Sequence, residues 1–392
     1  MRRFYGLLFF LLIPALLPAT ADAEDPNPAT LHSSRGAWPL YRQWTPAETR
    51  HFAQWISTIY DRKVHGTKEQ RLAKLEYVLT DPEMNLLLDP EFLGEPSNPQ
   101  IDLPTIRALH HIVDCHKLLM SLGSYYACRR GLPFMYSTVR SSDGTDIRTA
   151  PSTLPAGTAS SFEYSSAHQF FVDLVTGTCT GNLRVEPFAR NSEWSDTCPV
   201  AITPQYLIPG CSFYLDGHVL VLAEIEEGGG VRFLDATTSP TRDLYTFNGM
   251  NAVTGITPKD STRENNPYAG CFRGFRVLRY PIAETDRDGK VTRVRRRTDE
   301  EMREFGFSVE QYDRMEELVT KGFITEKNIP LTSMHQFIRF RMKAEKPVSP
   351  VEIIQRFLTD FAQALSRREE QVRLAWENVQ TEGAIEFPGG TA

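Results

Sequence analysis

Cysteine is scarce in this chain. Six residues in 392 are far too few for a small fold held together by disulfides. An excess of positive charge is also missing. Lys and Arg number 43 against 49 Asp and Glu, a formal net charge of −6, which excludes a bulk electrostatic fit to nucleic acid. No stretch beyond the N-terminal leader reaches 18 apolar residues, so no membrane span is expected in the mature chain. No internal repeat is present. What remains is ordinary globular arithmetic, 41% apolar and 23% charged residues, which excludes a mainly disordered protein. The length suggests two domains, or one with a sizeable appendage.

The N-terminus has the form of a secretory signal peptide. Met1-Arg2-Arg3 is positive, and residues 4–18 are apolar with an interruption at Pro14. Ala19-Thr20-Ala21 and Ala21-Asp22-Ala23 both fit small-x-small cleavage sites. The apolar run is too short for a comfortable membrane span, and no cysteine follows it to take a lipid anchor. Cleavage near Ala23 removes Arg2, Arg3 and Asp22 and leaves a net charge of −7. The expectation is a soluble exported protein, periplasmic or extracellular, in a compartment where paired cysteines oxidise.

Five stretches follow from the patterning. Residues 1–23 are the leader. Residues 24–101 form an N-terminal helical and irregular segment. Within it Thr45-Pro46-Ala47-Glu48 starts a helix, and Phe52, Trp55, Ile56, Ile59 and Tyr60 follow helical spacing. Residues 102–283 form the catalytic-type domain, with helices over 102–113 and 114–130 that end at Gly131-Leu132-Pro133. Inside it, residues 141–161 read as a mobile loop. Residues 218–225 and 231–236 flank Glu226-Glu-Gly-Gly-Gly230 as a β-hairpin. Residues 284–303, including Arg295-Arg296-Arg297, read as a solvated charged linker. Residues 304–392 read as a helical region. Its last long helix opens at Ser349-Pro350-Val351-Glu352 and buries Ile354, Phe357, Phe361 and Leu365 as a packing element.

The chemistry concentrates on three residues. Cys115 follows Asp114. If Asp114 caps a helix, Cys115 sits in the first turn, where the helix dipole and free N–H groups favour a thiolate. A continuous helix from 103 instead leaves Cys115 mid-helix and removes that activation. A nucleophilic thiolate needs a base and a group to orient the base. His218 opens the first strand of the hairpin, just after Asp216-Gly217, and Asp235 lies near the end of the second. A two-residue loop at 227–228 pairs 218 with 237, which makes 235 the diagonal neighbour of 218 on the same face. A one-residue slip puts the two on opposite faces, and a histidine at a strand end also fits a purely structural role.

At these residues the sequence resembles papain-like cysteine hydrolases of the NlpC/P60 kind, most of all uncharacterised exported bacterial members. The matching pieces are Asp114-Cys115, Leu207-Ile208-Pro209-Gly210, Gly217-His218-Val219-Leu220-Val221, Leu234-Asp235-Ala236 and the closing strand at Gly274-Phe275-Arg276. The hairpin also resembles the transglutaminase-like core. The resemblance covers about residues 102–282. It departs from the NlpC/P60 pattern where Asp-Cys continues as His116-Lys117 rather than Ser-Gly, and where Cys211 follows Pro-Gly in place of Asp. It implies an α+β fold: a papain-like core with an antiparallel sheet and a nucleophile helix, carrying helical extensions at both ends. It implies Cys115 as nucleophile, His218 as base and Asp235 as the orienting group. The substrate implied is a cell-wall peptide or a protein, cleaved at an amide through a Cys115 thioester, with no metal or organic cofactor. Acyl transfer is the more distant outcome. For the oxyanion the backbone N–H of Cys115 is the one donor that can be named.

The other candidates have plainer readings. Cys179 and Cys198 bracket an irregular stretch that a disulfide would close, while Cys128, Cys211 and Cys271 leave further pairings open. Cys115 and Cys128 lie thirteen residues apart on one helix, roughly 20 Å, and do not pair. His111, Cys115 and His116 lack the spacing of a zinc site. His110 and His111 read as helix-surface or packing residues. The rival to an enzyme is an exported binding module that keeps the papain-like fold without catalysis, its helical tail forming the partner surface.

Overall fold

In a computed structural model of the chain the described residues are 29–111, 113–147, 150, 153–184, 194–215, 217–226, 228–236, 244–248, 274–343 and 349–382. The expected leader and cleavage site over residues 1–23, Cys271 and Asp216 lie outside them. The architecture is mixed α and β with antiparallel sheets, of the α+β class expected. Helix α1 (Pro46–His65) is followed by the short helices α2 (Lys68–Leu72), α3 (Leu75–Thr80) and α4 (Pro90–Leu93). Then come α5 (Leu103–His111) and α6 (Cys115–Arg130). Strands β1 (Met135–Ser141) and β2 (Thr153–Ser160) form a hairpin, and α7 (Ala167–Gly177) follows.

The main sheet has six strands in the order β3-β8-β4-β5-β6-β7. These are β3 (Thr197–Pro199), β4 (Ser212–Leu215), β5 (His218–Ile225), β6 (Val231–Ala236), β7 (Leu244–Asn248) and β8 (Gly274–Leu278). A second hairpin, β9 (Ile282–Thr285) with β10 (Val291–Arg295), precedes α8 (Glu310–Lys321). A third, β11 (Ile324–Glu326) with β12 (Ile329–Leu331), leads to α9 (Met334–Lys343) and α10 (Pro350–Glu382). No helix among the described residues is long and apolar enough to cross a membrane.

Helix α6 packs across β5 and β6, and every residue of it except Lys117 is buried. Helix α1 packs on β5 as well. Thr45 caps α1 as expected, accepting from the Glu48 N–H at 3.1 Å. The Glu48 side chain does not reach back to the cap. It is fully buried and paired with Arg130 of α6, Nε to Oε1 at 2.8 Å and Nη2 to Oε2 at 2.9 Å. The Tyr126 hydroxyl donates to the same carboxylate at 2.5 Å. Trp44 stacks on Tyr126, Phe52 meets it edge-on and Trp55 lies tilted against it, in one aromatic cluster. The N-terminal segment is therefore built into the core, which runs continuously from Leu31 to Phe340.

Three expectations are corrected by the fold. Residues 153–160 are not part of a loop but form β2, paired residue by residue with β1. Residues 284–303 are not a solvated linker. They hold most of the β9–β10 hairpin and three arginines with specific partners: Arg295 meets Glu301 at 2.8 Å, Arg296 meets the buried Asp196 at 2.6 Å, and Arg297 donates to the Trp44 carbonyl at 2.9 Å. On α10, Ile354, Phe357, Phe361 and Leu365 are exposed rather than buried, in a stripe continued by Leu358, Val372 and Trp376.

Candidate active site

The Pro209-Gly210 turn feeds β4, and Gly210 takes a left-handed φ of +91° with Phe52 packed where a side chain would stand. Strands β4 and β5 form a tight hairpin that pairs Leu215 with His218 across residues 216 and 217. Gly217 has φ +88°, the conformation that a two-residue turn with Asp-Gly requires. His218 therefore begins β5 at a sheet end.

The β5–β6 register matters most. At the tip, Ile225 pairs with Val231, and the turn is closed by Glu226 N–H to the Gly230 carbonyl at 2.8 Å. A bulge between Leu222 and Glu224 then shifts the ladder by one, so that Leu222 pairs with Phe233 and Val221 with Leu234. The register at the site end is the one expected from a two-residue turn, reached by a longer turn plus a bulge. His218 and Asp235 consequently share a face, with Nε2 to Oδ1 at 3.0 Å. The carboxylate oxygen lies off the ring N–H axis, so the contact is a close ion pair rather than a well-aligned hydrogen bond.

Cys115 opens α6. The Asp114 carboxylate accepts from the Lys117 N–H at 3.0 Å, and Asp114 itself is extended, so the helix starts at 115 and is not continuous from 103. Cys115 is a free thiol, 8% exposed, packed with Leu183, Tyr214 and Val219. It packs on Val219, the residue after His218, and acts electrostatically on the His218 imidazole. The Asp235 carboxylate first and the Cys115 thiol second push the His218 pKa up to about 10, against a smaller opposing effect of burial. At neutral pH a proton is thus held on the imidazole, the form that pairs with a thiolate. The structure brings Cys115, His218 and Asp235 together.

The rest of the wall comes from a 3₁₀ turn at Thr180–Arg184, which sequence reasoning did not single out. Asn182 anchors it, donating to the Ser137 carbonyl at 2.7 Å and to Asp196 at 3.3 Å. Leu183 touches the Cys115 cluster, and Arg184 follows it. His116, next to Cys115, lies in the buried part of α6. It is fully buried, among the described residues neither ring nitrogen has a hydrogen-bond partner, and burial pushes its pKa down to about 4.

Cys128, Cys198 and Cys211 are buried thiols, pushed up by burial to about 12, 11 and 12. Cys179 is partly exposed and free, and the bridge expected between it and Cys198 is not formed in the structure. Cys198 stands opposite Val277 of β8, Cys211 directly precedes β4 on the other side of that strand, and both are free thiols. Among the described residues no group of three or more His, Cys, Asp or Glu is placed to hold a metal ion. Comparison of the chain with protein-family models, curated proteins and solved structures finds no match.

Proposed function

We propose that this chain is an exported cysteine hydrolase of papain-like, NlpC/P60-type arrangement that cleaves an amide bond through a Cys115 thioester. The observation that carries the reading is the His218 imidazole held between the Cys115 thiol and the Asp235 carboxylate. Cys115 attacks the amide carbonyl carbon and its proton resides on His218. The tetrahedral oxyanion is met by the Cys115 backbone N–H, which belongs to the first turn of α6, where the helix itself supplies no acceptor. His218 then protonates the departing amine, and Asp235 keeps the ring in place through this transfer. Water, activated by the now neutral His218, hydrolyses the thioester. An amine in place of water gives acyl transfer. No step calls for a metal or an organic cofactor.

A leader over residues 1–23 places the reaction in the periplasm or outside the cell, where peptides of the cell-wall polymer and proteins are the substrates within reach. There a disulfide among Cys128, Cys179, Cys198, Cys211 and Cys271 belongs to the same proposal. The second reading is a binding module without catalysis. It is favoured by the apolar cover of Leu183, Tyr214 and Val219 over a thiol that is only 8% exposed.

The two separate on one experiment. Purified wild type and Cys115→Ala are incubated with defined muropeptides and with an unfolded protein, and newly released amines are followed by mass spectrometry. The hydrolase reading expects cleavage by wild type only. Cleavage that survives in Cys115→Ala overturns it, and binding without cleavage by either protein supports the module.

A further inference from the structure

Helix α10 runs over 33 residues, roughly 50 Å, and a row of its large apolar side chains faces water. Val351, Ile354, Phe357, Leu358, Phe361, Leu365, Val372 and Trp376 are each between 39% and 64% exposed. Together they leave on the order of 800 Å² of apolar surface in solvent. That exceeds the largest patch a monomer usually carries and matches what each partner brings to a stable interface. The Phe357 and Phe361 rings stack on each other, centroids 6.2 Å apart.

The spacing within the stripe is that of a supercoil. Val351, Ile354, Leu358, Phe361, Leu365, Arg368, Val372, Ala375 and Val379 follow one another at alternating steps of three and four residues, over four heptads. A strict seven-residue repeat keeps one seam against a partner helix along its whole length. Phe357 and Trp376 flank that seam. Glu370, which meets Arg71 of α2 at 3.9 Å, stands on the opposite side of the heptad. The helix therefore meets the body through Glu370 and turns the seam outward.

We infer that α10 pairs with the α10 of a second copy of this chain in an antiparallel two-stranded coiled coil. The seam complements itself in that orientation. With the pair centred on the 366–367 peptide, Leu358 lies level with the second copy's Ala375, Phe361 with its Val372, Ile354 with its Val379 and Leu365 with its Arg368. A larger side chain meets a smaller one at the first three levels. At the fourth the arginine lays its stem along leucine and keeps its charged head in water. Parallel helices in register would instead set Arg368 against the second copy's Arg368, a like-charge contact inside the seam. The charge of the helix also argues against a lipid surface. Residues 350–382 hold four arginines and no lysine against six acidic residues, whereas helices that lie on anionic lipid are rich in Lys and Arg. No residue of the Cys115 site takes part, so the pairing holds whether or not the chain is a hydrolase.

Sedimentation equilibrium of the purified chain is the test. Wild type at micromolar concentration is expected to show twice the mass of one chain. Leu358→Glu combined with Phe361→Glu, both at exposed positions, is expected to weaken the dimer about a hundredfold. Thr359→Glu, which places the same charge at an exposed position off the seam, is expected to leave it intact. A single-chain mass for wild type, or a dimer that the seam variant does not weaken, overturns the inference. A monomeric wild type that sediments with phosphatidylglycerol vesicles overturns it too and assigns the stripe to a lipid surface. Orientation is read by oxidising, with diamide, a mixture of chains carrying Leu358→Cys or Ala375→Cys. The mixed disulfide is expected, located by peptide mass spectrometry. A disulfide between two Leu358→Cys chains contradicts the antiparallel pairing.

Discussion

Nε2 of His218 and Oδ1 of Asp235 face each other at 3.0 Å across the first and second strands of one hairpin. The contact exists because a bulge between Leu222 and Glu224 moves the ladder by one residue before it reaches the site. Without that bulge, every side chain of one strand end is displaced along the ladder relative to its partner. The pair also controls the proton. The carboxylate first and the Cys115 thiol second raise the imidazole pKa from its ordinary 6.5 to about 10.

Asp235→Asn should lower the His218 midpoint by roughly two units, the size of effect an adjacent carboxylate has. Proton NMR titration of the imidazole reads it directly. The linkage has a definite sign. A base whose folded pKa is raised contributes stability below its unfolded value of 6.5, and that contribution is lost as pH rises through about 10. His218→Gln is therefore expected to destabilise most near pH 6 and to match wild type more closely above pH 10 in urea unfolding.

His116 gives the opposite sign. Its folded pKa of about 4 lies below 6.5, so the unfolded chain takes up a proton that the core refuses. Stability is lost as pH falls from about 6.5 to about 4 and levels off below, by roughly 3 kcal/mol in all. His116→Leu should flatten this part of the stability profile. An unchanged slope between pH 6.5 and 4 would show that the ring does not carry it.

The Glu48–Arg130 pair is fully buried and tied to Tyr126. Glu48→Ala leaves a guanidinium without a counter-ion in the core and should cost about 3–5 kcal/mol. Denaturant unfolding measures the loss. The pair lies at the far end of α6 from Cys115, so the thiol of the folded fraction should keep its reactivity.

Asp114 holds the first turn of α6 through the Lys117 N–H. Asp114→Ala should cost about 1 kcal/mol, and Asp114→Asn, whose side-chain oxygen also caps, should recover most of it. Equal losses in both variants would mean that the Lys117 ion pair rather than the cap is what matters.

Parts of this arrangement are legible in sequence because they are local. Asp114 before an apolar run marks a helix start, and the structure decides for it over a continuous helix from 103. The site-end register of 218 and 235 also follows from the hairpin, although the real turn is longer and the bulge compensates. What escapes is set by distant partners. Arg296 looks like linker charge until Asp196, a hundred residues away, is seen against it. Ser, Gly and Thr over 153–160 look like loop because their strand character comes from pairing with β1. The helical periodicity of α10 is real, but periodicity shows a face and not what covers it.

The most direct measurement is alkylation of Cys115 by iodoacetamide as a function of pH, mapped by peptide mass spectrometry, in wild type and His218→Ala. The account predicts that wild-type Cys115 reacts ahead of the buried Cys128, Cys198 and Cys211, whose thiols burial holds up, and that His218→Ala abolishes this early reaction. A wild-type profile that coincides with that of His218→Ala, or a Cys115 that does not react at all, would contradict it.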